Sequence, residues 1–235
     1  MSAKTITLIG TGNLGTNLAT ALLKAGHKVV QLHGRSFQPD EIEGDVVIIS
    51  IKDDALRAVA EKLKDTDKLV VHTAGSVPMN VLSTARRGVF YPMQTFSKQR
   101  IVEFSEIPIF LESDTDIELL EELAHSVSQK VFHIDSEKRK SLHLAAVFAC
   151  NFANHCYDLA AQILQQHNIP FEVMLPLIDE TARKVHTLSP HKAQTGPAVR
   201  YDKRIIEKQE NMLTGDTKEI YHLMSQSIHN SHDKL

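Results

Sequence analysis

Six residues near the start of the chain, Gly10-Thr11-Gly12-Asn13-Leu14-Gly15, have the types and spacing to hold a pyrophosphate. A first glycine permits a tight turn, a second lets the backbone approach the phosphates, and a third lets the next helix pack on the preceding strand. The phosphates would lie on free N–H groups at the positive end of that helix. Such a pattern is common by chance, so its context decides. Here a β-branched run at 5–9 precedes it. An amphipathic run at 16–25, with Leu18, Ala19, Leu22 and Leu23, follows and stops at Gly26.

The next strand signal, 28–32, ends at His33, Arg35 and Ser36, and no Asp or Glu stands between His27 and Gln38. An acid there would bind the ribose hydroxyls of NAD and repel a 2′-phosphate. An arginine fork and a hydroxyl would hold that phosphate, so the residues predict NADP(H). Two later strand ends, Ser50-Ile51-Lys52 and Thr73-Ala74-Gly75, are expected beside the cofactor, because ligands collect beyond the carboxyl ends of parallel strands. Lys52 is read either as a positive charge near the cofactor or as a solvated lysine.

Substrate-binding candidates are Tyr91, Gln94 and Thr95 in YPMQTF, Asn151 in AVFACNFAN, and Thr195, Gly196 and Arg200 in TGPAVR. The first group reads as a pocket wall or a structural turn. Asn151 reads as a buried amide in need of partners. Arg200 could pair with Asp202 or with a substrate carboxylate. For reduction of an imine or carbonyl, a donor must face the atom that gains charge; the catalytic candidates are Ser76, Asn151, His155 and Thr195. His155 is the acid–base candidate and Asn151 an orienting group. Thirteen histidines are many, but HExxH, HxH and Cys-His zinc spacings are absent, so no metal site is expected.

The elements that must position these residues alternate in the first half. Strand signals at 5–9, 28–32, 45–50, 68–72, 88–91, 106–111 and 130–134 are interleaved with helix signals at 16–25, 54–63 and 116–126. The stretch 34–44 reads as a loop or single turn. Continuous apolar strands between helices predict an α/β domain with a doubly wound, mainly parallel sheet. After Ile134 the strand signals stop. A long helix is expected over 137–166, with Leu142, Ala146, Ala149, Ala153, Cys156, Ala160 and Ile163 on one face. A second follows at 171–188, bent near Pro176. Helices at 201–212 and 216–228 and a frayed tail complete an all-α part. The domains are set at 1–136 and 137–235, and the long helix is expected to form a homodimer.

With 235 residues, 42% apolar, and a net charge of −3, the chain can bury a sizeable core and lacks the basic excess of a nucleic-acid binder. No run is long and apolar enough to span a membrane and no signal peptide is visible, so no membrane partner and a cytoplasmic location are expected. Cys150 and Cys156 read as buried thiols in a reducing compartment.

The order GTGNLG, HGRS, SIKDD, HTAGS, YPMQTFS, NFAN and TGPAVRYD resembles, over nearly the whole chain, the Rossmann-like proteins with a DUF2520 helical domain. These carry labels as NADP- or F420-dependent oxidoreductases. They are similar in plan to pyrroline-5-carboxylate reductase and to the β-hydroxyacid dehydrogenases that include 6-phosphogluconate dehydrogenase. The resemblance implies a helical domain that dimerises and closes the active site, with Asn151 and the turn 195–200 lining the cleft. The chain departs from the usual TGPxxRGD at Tyr201, has Gln209 near the position of a later histidine, and offers no match to the hydroxyacid dehydrogenase lysine. The nearest helix residues are His143, Asn151 and His155. The expected function is an NADP(H)-dependent oxidoreductase acting on a small imine, keto or hydroxy substrate. The alternatives are a redox-silent dinucleotide-binding sensor or scaffold and an F420-linked reductase.

Overall fold

The computed structural model describes residues 2–34 and 36–233. These divide into two compact units, the first reaching Phe152 and the second beginning at Ala153.

The first unit is built on seven strands: β1 (Thr5–Ile9), β2 (Lys28–Leu32), β3 (Val46–Ile49), β4 (Leu69–His72), β5 (Arg87–Pro92), β6 (Ile109–Ser113) and β7 (Val131–His133). Their order in the sheet is β2-β1-β3-β4-β5-β6-β7. Every neighbouring pair is parallel except β5 and β6. β2 and β3 flank β1 on opposite sides, so the strand order reverses there and opens a crevice at the carboxyl ends.

Both faces are covered, which is why β3 and β4 are fully buried and apolar but for His72 at the end of β4. Alternate residues point to opposite faces. Ile6, Leu8, Val46, Ile48 and Val71 pack with α1 (Asn13–Lys24) and α3 (Ile117–Val127) on one side. Ile9, Val47, Ile49 and Val70 pack with α2 (Asp53–Glu61) and Phe37 on the other. The stretch 34–44 makes a single 3-10 turn, Pro39–Glu41.

A buried amide fixes the long loop between β5 and β6. Asn17 of α1 donates to the carbonyls of Asn13 (2.9 Å) and Ser97 (3.0 Å) and accepts from the Val102 N–H (3.0 Å). Phe96, Val102 and Phe104 of that loop then join the core beside α1.

Helix α4 (Ser136–Ala146) belongs to the first unit, sixteen residues of chain 137–152 lying beyond the domain boundary expected at 136. Asp135 caps it through the Lys138 N–H at 2.8 Å. Arg139 anchors it: its guanidinium is fully buried, pairs with Glu112, and donates to the Val77 carbonyl at 2.6 Å. The expected uniform helix over 137–166 is interrupted by a π segment, Val147–Phe152, whose wider turn breaks the three- and four-residue spacing read from the sequence.

The second unit holds α5 (Ala153–Gln165), α6 (Leu175–Lys184), the single turn α7 (Pro190–Ala193), α8 (Lys203–Glu210) and α9 (Gly215–His232). Pro176 does not bend a helix but opens α6, where its missing N–H costs nothing. α9 continues to His232, four residues into the tail expected to fray. No described residue of α5, α6, α8 or α9 is fully buried. Cys150 and Cys156 are free thiols but half-buried, not buried. Among the described residues no helix is long and apolar enough to cross a membrane.

Candidate functional site

The carboxyl ends of β1, β3, β4 and β5 surround a cleft of about 870 Å³, within the size range of ligand sites. Gly10 makes the turn out of β1 with φ of 133°, and a side chain on it would strike the Ser50 carbonyl. Its own N–H is held by the Leu32 carbonyl at 2.8 Å, and the Gln31 amide holds its carbonyl at 2.8 Å. Gly15 sits where a Cβ would come 2.5 Å from the Gly10 carbonyl, so it lets α1 lie against the turn.

Gly12 is different. It is the cap residue of α1, with an ordinary φ of −73°, and a Cβ there would meet nothing within 4 Å. Neither packing nor backbone conformation asks for glycine at this position. Among the described residues no side chain caps α1, and its first turn carries no acid. The positive helix end therefore faces the cleft with free N–H groups. Such a helix end fits a pyrophosphate, and the residues present fit a dinucleotide.

Thr11, Asn13, Leu14, Gly34, Ser50, Ile51, Lys52, Thr73, Ala74 and Gly75 complete the near wall. The far wall brings Tyr91, Pro92, Gln94, Phe96, Lys98 and His143. Behind it lie buried polar groups. His72, at the end of β4, accepts the Ala74 N–H on Nδ1 at 3.2 Å, while its Nε2 has no partner among the described residues. Burial, and then the Arg139 charge, lower this imidazole to about 3, so it is neutral.

Residues 107–228 match the family described as a domain of unknown function, DUF2520. The chain belongs to the DUF2520 family. A Bacteroides fragilis protein provisionally named an NADP oxidoreductase is 47% identical, with 97% of this chain and 98% of that one covered and a TM-score of 0.91. A Thermotoga maritima protein is 21% identical over 97% and 98% of the two chains, with a TM-score of 0.72. An imine reductase of Myxococcus stipitatus, solved in complex with NADP+, is 13% identical over 98% and 93%, with a TM-score of 0.68, and shares the fold. No curated protein matches the chain in sequence.

In this DUF2520 protein, thirteen of the residues expected at the site line the cleft: Gly10 to Leu14, Ser50 to Lys52, Thr73 to Gly75, Tyr91 and Gln94. Gly15 supports the turn from behind. His33 and Ser36 are exposed and do not line the cleft; His33 meets Thr11 Oγ1 at 3.3 Å. Arg35 lies outside the described residues. Ser76 is exposed and donates its hydroxyl to Asp53. Asn151, expected as a buried amide, is exposed; the wider π turn carries it to the rim of a second pocket, beside Thr95. His155, Thr195, Gly196 and Arg200 belong to the second unit. There His155, Thr195 and Arg200 are exposed, and Gly196 takes a φ of 109° in the turn.

Gly34, Asp53, Asp54, Ala55, Pro92, Phe96, Lys98 and His143 also line the cleft, and the spacing of residues does not single them out. Lys98 gave no signal, since it sits in an irregular loop. His143 was noted for its place in the helix, but nothing in the pattern placed it against Tyr91, fifty-two positions earlier, where its Nδ1 lies 3.1 Å from the phenolic oxygen.

Proposed function

We propose that this chain is an NADP(H)-dependent oxidoreductase that moves a hydride to or from a small imine, keto or hydroxy substrate. The open space over Gly12 at the uncapped end of α1 carries this reading, because a bound pyrophosphate explains a glycine that the fold does not need. The name of the 47% identical relative supports it. Gly10 to Leu14 would hold the pyrophosphate, and Thr73 to Gly75 would offer backbone to the nicotinamide end. The absence of an acid after β2, with His33, Arg35 and Ser36 in its place, favours a 2′-phosphate. The cofactor supplies the hydride chemistry; the protein supplies position and a proton. Asn151 is read as orienting the substrate.

The chain is further read as a homodimer through its helices. Leu177, Met212 and Leu223 are 58, 67 and 62% exposed, with apolar surface that a second copy would cover.

Titration of cofactor-stripped protein with NADPH, NADH and F420, followed by intrinsic and cofactor fluorescence, tests the reading. Tight NADPH with weak NADH is the expected result. Preference for F420 would replace the cofactor, and no binding to any of the three would end the proposal.

A further inference from the structure

A second pocket of about 580 Å³ adjoins the dinucleotide cleft. Tyr91, Gln94, Phe96 and His143 line both. Tyr91 thus stands where the two cavities meet, at the carboxyl end of β5. Met93, Leu142, Val147 and Cys150 give the second pocket apolar walls, and Thr95 and Asn151 add neutral polar groups. Among the described residues that line it there is no Lys, Arg, Asp or Glu.

We propose that Tyr91 is the proton donor of the reaction and that the second pocket takes an uncharged carbonyl or imine compound with an apolar body. This rests on the oxidoreductase reading above. Three observations carry it. Tyr91 is 8% exposed and packed against Phe110, so its hydroxyl is fixed in direction. His143 reaches that hydroxyl from α4 at 3.1 Å, with its ring edge-on to the phenol. Gly75 makes room for the imidazole: a Cβ there would lie 2.5 Å from His143 Nδ1. Glycine at the end of this strand therefore serves the histidine as well as the cofactor.

Burial raises the Tyr91 phenol above its ordinary range, against a smaller opposing effect of the Arg139 charge. It therefore enters the reaction protonated, as a donor must. Of the other hydroxyls considered for the role, Ser76 is already committed to Asp53. A carboxylate there would meet no counter-ion among the described residues that line the pocket, which selects against charged substrates.

In the reducing direction a bound reduced nicotinamide dinucleotide would supply a hydride to the substrate carbon and become the pyridinium form. The π pair of C=O or C=N moves onto the heteroatom, which takes the Tyr91 proton as a new O–H or N–H. The phenolate then regains a proton from solvent water. His143 holds the Tyr91 hydroxyl in place and is a positioning residue.

The experiment begins with NADPH titration of the wild type and of Tyr91→Phe, His143→Asn and His143→Ala, each checked by thermal unfolding. Turnover is then followed by NADPH absorbance with 2-methyl-1-pyrroline, cyclohexanone and acetophenone. Their carboxylate-bearing counterparts, 1-pyrroline-2-carboxylate and phenylglyoxylate, form the second arm. The uncharged compounds are expected to react, with kcat/KM at least about tenfold above the carboxylates. Tyr91→Phe should lower kcat by about 10²-fold or more at little change in KM or in NADPH affinity. Asparagine at 143 can still hydrogen-bond the phenol and should retain most of kcat, while alanine should not. Should Tyr91→Phe fail to fold, the split between His143→Asn and His143→Ala decides. The proposal is overturned if NADPH binds and the carboxylates alone react, if neither set reacts, if Tyr91→Phe keeps its kcat, or if the two His143 variants are alike. Failure of NADPH to bind instead removes the oxidoreductase reading beneath it.

Discussion

Gly12 and Gly10 occupy one motif for different reasons, and substitution separates them. Alanine at Gly12 enters open space at a normal φ, so the melting temperature should stay within about 2 °C while NADPH affinity falls about tenfold or more. Alanine at Gly10 meets the Ser50 carbonyl at a φ of 133° and should destabilise the fold by about 3 kcal/mol in urea unfolding. His72 makes a second residue-scale prediction. Its folded value of about 3 lies below the ordinary 6.5, so between those pH values the unfolded chain binds a proton that the folded chain refuses. Stability is then complete above pH 6.5 and falls as pH drops towards 3, by up to about 1.4 kcal/mol per pH unit from this group. His27, lowered chiefly by burial and then by Lys4, adds to the slope with the same sign. Asparagine at 72 keeps an acceptor for the Ala74 N–H and should flatten the slope, as measured by urea titrations between pH 4 and 7. The glycine turn was legible because Gly10 and Gly15 answer local constraints and the fixed spacing of the motif picks out Gly12 between them. The meeting of Tyr91 with His143 was not, because it depends on where α4 docks, and that is fixed by the buried pair of Arg139 with Glu112.

At the scale of elements, strands announce themselves through unbroken β-branched runs, and all seven lie near where the spacing predicts them. Sheet order and the one antiparallel pair leave no such trace, since they depend on pairing between distant segments. The π segment is equally silent: residues at three- and four-step spacing fit an α-helix until one turn holds an extra residue. The loop between β5 and β6 hangs on Asn17, whose amide serves three backbone partners. Asn17→Ala should cost about 2 kcal/mol in urea unfolding and weaken substrate turnover through Gln94 and Phe96, which that loop carries. In the second unit, Tyr201 adopts a φ of 50°, a conformation natural to the glycine that the family resemblance places there. Its ring lies flat on His229, centroids 3.8 Å apart. Tyr201→Gly should therefore be nearly neutral, relief of about 1 kcal/mol of backbone strain offsetting the lost stack. His229→Ala should be the more destabilising change, since it removes the stack and leaves the strain.

For the whole molecule, the two units differ in what they bury. The first owns its core on both faces of the sheet. The second leaves Val173, Leu175, Leu177 and Leu223 exposed, an arrangement that a second copy would complete. Light scattering should report a dimer, and Leu177→Asp with Leu223→Asp should yield monomer or unfolded second unit, detected by loss of helical circular dichroism. The apolar stripe read in the sequence lay on the helix at 137–166, and the exposed Leu177 and Leu223 of later helices gave no such stripe.

The uncapped end of α1 has a consequence for the life of the protein. If the dinucleotide binds as proposed, it completes a helix that leaves its first donors free, and so would act as a detachable part of the structure. At a ligand concentration a hundred times its dissociation constant, that part adds about 2.7 kcal/mol. Degradation of the chain would then follow the supply of its cofactor, with replete molecules spared.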